Sequence, residues 1–120
     1  MKRAPLVLAC LLGQPGGASG PAPCEARLEL FRQEQLLTIT GHCRSLLSAP
    51  ARYRYQLLVQ RQGRNGHSQN SQGGTFVLTA RQEAVLSRVQ LNTNPQDLCI
   101  VHLLVFDAAN QLIAQDSTRF

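Results

Sequence analysis

From Cys24 onward, apolar and polar residues alternate with a period of two, and no window of helical length carries an apolar stripe at spacings of three and four. This pattern predicts an all-β chain. In the first strand Ala26, Leu28 and Leu30 alternate with Glu25, Arg27 and Glu29; in the second Leu37, Ile39 and Gly41 alternate with Thr38, Thr40 and His42. A hairpin about Gln33-Glu34 sets Leu30 opposite Leu37, Leu28 opposite Ile39 and Ala26 opposite Gly41, which gathers the apolar residues on one face. The same register sets Cys24 opposite Cys43.

Arg52 to Arg61 reads as a third strand, with Tyr53, Tyr55, Leu57 and Val59 facing one way and Arg52, Arg54, Gln56 and Gln60 the other. Asn65-Gly66 tolerates the positive φ of a hairpin turn. His67 to Gly73 is polar on both parities, so it is expected as a sheet edge or a loop. Thr75 to Thr79 and Val85 to Leu91 are further strands, followed by the turn cluster Asn92-Thr93-Asn94-Pro95. Leu98 to Asp107 is apolar on both parities and is expected to be a central strand. Ala108 to Gln111 turns the chain into a last strand, Leu112 to Phe120. About seven short strands with regular turns predict a sandwich of two antiparallel sheets.

The start of the chain has another character. Lys2 and Arg3 precede a short apolar run, Ala4 to Leu12, and small residues follow from Gly16 to Gly20, so residues 1–20 are expected to be a secretory signal peptide and residues 21–120 the folded domain. Val7-Leu8-Ala9-Cys10 offers a competing lipobox reading with an unusually short apolar region. No stretch approaches the ~20 apolar residues of a membrane-crossing helix, so no stable membrane insertion is expected. Without residues 1–20 the chain carries ten arginines and seven carboxylates, a net charge of +3 against +5 for all 120 residues. This mild excess, with no Lys-rich run and no zinc-finger or RNA-binding motif, does not point to nucleic acid.

Catalytic signatures are missing. The seven carboxylates scatter over faces and turns, no serine sits in a nucleophile elbow, and His42, His67 and His102 lie on three separate segments without metal-ligand spacing. The chain is therefore expected to be no enzyme and to need no metal or cofactor. Cys24 and Cys43 are candidates for a disulfide in an oxidising compartment; Cys43 with Cys99 across the sandwich, or no bridge, are the alternatives. Cys99 is most simply a small buried hydrophobe. Arg52, Arg54, Arg61 and Arg64 are the candidate binding residues. A basic strip along an outer sheet surface would offer guanidinium donors to amide- or carboxylate-rich chains, whereas the plain alternative is a solvated surface. The polar segment His67 to Gly73 beside them would offer free backbone groups to an added strand.

Three groups of residues carry a family resemblance: Tyr53-Arg54-Tyr55; Gly63-Arg64-Asn65-Gly66-His67-Ser68 with Gln72-Gly73-Gly74-Thr75-Phe76; and Leu86-Ser87-Arg88-Val89-Gln90-Leu91 through Pro95. With the opening Cys24, the chain resembles the CsgC/CsgH family of curli-assembly proteins, more closely the CsgH type. The resemblance implies an immunoglobulin-like sandwich of the bacterial periplasm, acting as a monomeric chaperone without ATP. Its partner would be a curli-type amyloid subunit, kept from polymerising before export. CsgC-type members carry a Cys-x-Cys pair where this chain has Ala51-Arg52-Tyr53, so a redox role built on that pair does not transfer. Two other readings are a thiol-exchange domain using Cys24, Cys43 or Cys99, and a structural module of a surface appendage.

Overall fold

The computed structural model describes residues 22–64 and 66–119; the expected signal peptide lies outside them. Seven strands follow one another: β1 (Cys24–Gln33), β2 (Leu36–Ser45), β3 (Ala51–Gly63), β4 (Gly66–Leu78), β5 (Glu83–Asn92), β6 (Leu98–Phe106) and β7 (Leu112–Arg119). They form two antiparallel sheets, one of three strands in the order β1-β2-β5 and one of four in the order β4-β3-β6-β7. This is an all-β sandwich, as the alternation predicts, and an immunoglobulin-like one, as the family resemblance implies.

The inward-facing parity of each sheet makes the core. Leu37, Ile39 and Val89 of the three-stranded sheet meet Leu57, Val59, Val101 and Leu103 of the four-stranded one. A second cluster joins Cys24 and Cys43 to Tyr53, Leu78 and Val105. Gly41 is buried between the layers, and a Cβ there would stand 3.4 Å from both Leu103 Cδ atoms, so the glycine admits the larger side chain from the facing sheet. Beside it the β2–β5 ladder shifts register at Gly41/His42, a bulge that keeps both flanking runs facing inward.

The first hairpin departs from the expected register. Gln33 pairs with Leu36, so the turn is Glu34-Gln35, with Glu34 at a φ of 57°. Leu30 stands opposite Ile39, Leu28 opposite Gly41, Ala26 opposite Cys43, and Cys24 opposite Ser45 rather than Cys43. The displacement is two residues, which preserves every side chain's face, and alternation alone does not distinguish the two registers. The second turn also moves. Gly63 pairs with Gly66, so Gly66 opens the returning strand instead of lying inside the turn, and it takes a φ of 121°. The polar segment after it belongs to β4, which is an edge strand as expected.

The free edges are managed differently along the two seams of the sandwich. On one side β1 packs along β7, and Asp116 Oδ2 of β7 accepts the Leu28 N–H at 2.8 Å, capping an edge amide of β1 with an inward-pointing carboxylate. On the other, β4 and β5 meet sparsely, joined by a hydrogen bond from Ser87 Oγ to Gln72 Oε1.

Candidate protein-binding face

β3 places its arginines on two different faces. Arg52 and Arg54 take the outward parity with Gln56, Leu58 and Gln60, while Arg61 shares the parity of Tyr53, Leu57 and Val59, which points into the sandwich. At the end of the sandwich, where the core gives out, Arg61 turns to polar partners. Its Nη1 donates to the Asn92 carbonyl at 3.1 Å and lies 3.6 Å from Asp97 Oδ2; its Nε donates to Ser68 Oγ at 3.4 Å. Asp97, itself nearly buried, also accepts the Asn94 N–H at 3.0 Å. It closes so tightly over Gly63 that any Cβ there would collide with its carboxylate. Arg61 thus ties the β5–β6 loop to the β3–β4 hairpin. Arg64 is exposed at the hairpin's end. Seven residues of strand, or ~23 Å, separate Arg54 from Arg61. The four arginines expected as one strip are therefore two groups, and only Arg52 and Arg54 share the outer sheet surface.

Arg54 is held from two sides. Its guanidinium carbon stands 4.3 Å from the centroid of the Phe106 ring, its partner on β6, and Nη2 donates to Asn110 Oδ1 at 2.6 Å. Asn110 is presented by a turn that Asp107 organises: Asp107 Oδ1 accepts the N–H groups of Ala109 and Gln111, both at 2.9 Å, and Asn110 adopts a φ of 67°. One nitrogen is used in this way, and the guanidinium keeps further donors for a ligand.

The outward positions of the four-stranded sheet carry no carboxylate. Asp116 is the sole acidic residue within β3, β4, β6 and β7, and it points into the seam toward Leu28. Arg52, Arg54 and Arg119 are unopposed on this face, among polar residues such as Gln56, Ser71 and Ser117. The outer face of the three-stranded sheet is the opposite case. Glu25, Glu29 and Glu83 are interleaved there with Arg27, Arg44 and Arg88. Arg27 Nη2 donates to Glu83 Oε2 at 3.0 Å, and His42 lies between Glu29 at 2.9 Å and Glu83 at 3.5 Å.

The sequence reading also missed a row of residues on the same face. Leu98 to Asp107 is expected to be central, and β6 does lie inside its sheet, but in a two-layer fold only one of its faces meets a second layer. Cys99, Val101, Leu103 and Val105 are buried, whereas Ile100, His102, Leu104 and Phe106 face outward, half-covered by neighbours on the same sheet. The signal was present as apolar character on both parities.

The cysteines of the described residues are placed away from this surface. Cys24 and Cys43 are neighbours in the core, 1% and 0% exposed. The Cys43 thiol donates a hydrogen bond toward Cys24, which holds Cys24 below the usual thiol range; the same bond, with burial, pushes Cys43 up. The Tyr53 hydroxyl lies buried near both without a hydrogen-bond partner among the described residues, and burial raises its pKa. Cys99 is buried near Asp97 and Arg61, its thiol pushed up by burial. Cys43 packs with Val105, and Cys99 is six residues, ~20 Å, further along β6, too far for a bridge between them.

The family model described as thin aggregative fimbriae synthesis protein (Tafi-CsgC) matches residues 25–117, nearly the whole described domain. The chain belongs to this family of curli-assembly proteins. Among solved structures, the curli protein CsgC of E. coli is similar over 78% of this chain and 96% of its own, with 26% identity and a TM-score of 0.66. CsgH of R. palustris shares the fold at 20% identity and a TM-score of 0.60, over 77% of this chain and 89% of its own. β-Glucuronidase 2 of Bacteroides uniformis contains a similar sandwich, at 10% identity and a TM-score of 0.58, over 81% of this chain and 14% of the enzyme. Among curated protein sequences none matches the chain.

Proposed function

We propose that this member of the curli-assembly family is an exported, periplasmic and non-enzymatic chaperone that keeps the major curli subunit from polymerising prematurely. In this reading it works as a monomer, through brief contacts on the outer face of the four-stranded sheet. The observation that carries the reading is the charge pattern. Arg52 and Arg54 stand on a surface without carboxylates, so their donors are not consumed by intramolecular ion pairs. Contacts of this kind are screened and individually weak, which suits a client that must be released without ATP.

Within the family we favour the CsgH type. Identity is higher to CsgC, but Ala51-Arg52-Tyr53 lacks the Cys-x-Cys pair, and the cysteines among the described residues, Cys24, Cys43 and Cys99, are enclosed in the core. That enclosure also weighs against thiol exchange in the native fold, which needs an accessible thiolate.

The direct test follows fibrillisation of the purified major curli subunit with an amyloid-binding dye, with and without the mature protein. Because nuclei are rare, the lag should lengthen at far less than one chaperone per subunit. A lag unchanged even at equimolar ratio would refute the reading.

A further inference from the structure

The row Ile100, His102, Leu104 and Phe106 leaves an apolar stripe along the middle of an outer sheet face, with Leu58 of β3 opposite His102. Soluble sheets of two-layer folds normally face solvent with polar residues. Here three large apolar side chains on one strand have no covering layer. The stripe is bounded by positive charge at both ends: Arg54 stands opposite Phe106, and Arg119 of β7 stands opposite Ile100. At the Arg119 end, Ile100, His102, Ser117 and Thr118 join it in lining a shallow trough of about 450 Å³. From Phe106 to Ile100 is six residues of strand, ~20 Å.

We propose that this stripe is a docking surface for an extended segment of a partner protein with two apolar side chains flanked by carboxylates six residues apart. In an extended chain residues 1, 3, 5 and 7 share a face. Carboxylates at 1 and 7 then reach Arg54 and Arg119, while apolar residues at 3 and 5 settle along Leu104 and His102. The absence of outward carboxylates on β3, β4, β6 and β7 removes the repulsion such a segment would meet on the other sheet, where three glutamates face outward. The inference deepens the proposed function by naming the kind of client segment that the same face takes.

The probe is the capped peptide Asp-Ser-Leu-Asn-Phe-Ser-Asp, titrated into the mature protein and followed by NMR shifts of the protein amides. Binding should perturb β3, β6 and β7, and it should weaken about five- to tenfold in Leu104→Asn, in line with loss of one half-buried apolar contact. The same loss is expected in Arg119→Glu, an exposed position whose substitution leaves the core untouched, and for a peptide with Lys in place of both Asp residues. No binding, binding by either variant as tight as by wild type, binding of the Lys peptide as tight as that of the Asp peptide, or shifts confined to β4 or to the three-stranded sheet would each overturn the proposal. The two readings can fail separately. If the peptide binds as described but the curli subunit fibrillises unhindered, the docking surface stands and the chaperone function falls. If fibrillisation is delayed by wild type and by both variants alike while the peptide does not bind, the function stands and the docking surface falls.

Discussion

The two sheets turn opposite characters to solvent. On the three-stranded sheet Glu29 and Glu83 are paired with His42 and Arg27, Glu25 stands opposite Arg44, and the Arg27–Glu83–His42–Glu29 network spans all three strands. Its charges are spent on one another. On the four-stranded sheet the outward positions of the strands carry Arg52, Arg54 and Arg119 but no carboxylate, and the apolar stripe of β6 runs between Arg54 and Arg119. Equal numbers of surface arginines on the two faces therefore mean different things. Arg27, Arg44 and Arg88 balance a face, whereas Arg52, Arg54 and Arg119 leave one ready for a partner.

The sharpest way to break this contrast is to reverse the charges. Arg52→Glu together with Arg54→Glu should raise the concentration needed to delay curli fibrillisation by tenfold or more, about 1.4 kcal/mol of lost interaction. The mirror pair, Arg44→Glu with Arg88→Glu, should change it less than about twofold; equal losses from both pairs would mean that net charge, and not the face, is what matters. A smaller effect is expected at the seam. Asp116→Ala leaves the Leu28 amide without its acceptor and should cost about 1 kcal/mol in urea unfolding, together with a tendency toward dimers through the uncapped β1 edge. The smallest concerns the ion-paired face itself. Glu83→Gln should lower stability by no more than about 0.5–1 kcal/mol, because the side chain is 43% exposed. The difference should shrink in high salt, and chaperoning should be unaffected.

Much of this architecture is legible in the sequence. Alternation gave the number of strands and their faces, since a side chain's face depends only on parity. It left the register of the first hairpin open, because Leu30 opposite Leu37 and Leu30 opposite Ile39 bury the same residues; the choice is made in the backbone, where Glu34 accepts a positive φ. Arg61 was assignable to the inward face from the run Tyr53, Tyr55, Leu57, Val59, and grouping it with Arg54 overlooked the pleat. Its partner Asp97 was not legible, since their meeting depends on a loop 36 residues later folding back over Gly63. The β6 stripe was visible as apolar residues on both parities. Which parity lacks a cover depends on the number of layers, and that is a property of the assembled fold.

Mapping the complex of labelled protein and monomeric curli subunit by amide shifts tests the central assignment most directly. The outward face of β3, β6 and β7, from Arg52 and Arg54 across Leu104 and Phe106 to Arg119, is expected to respond first and most strongly, with the three-stranded sheet silent. Perturbations centred on Arg27, His42 and Glu83, or restricted to the β4 edge, would contradict it.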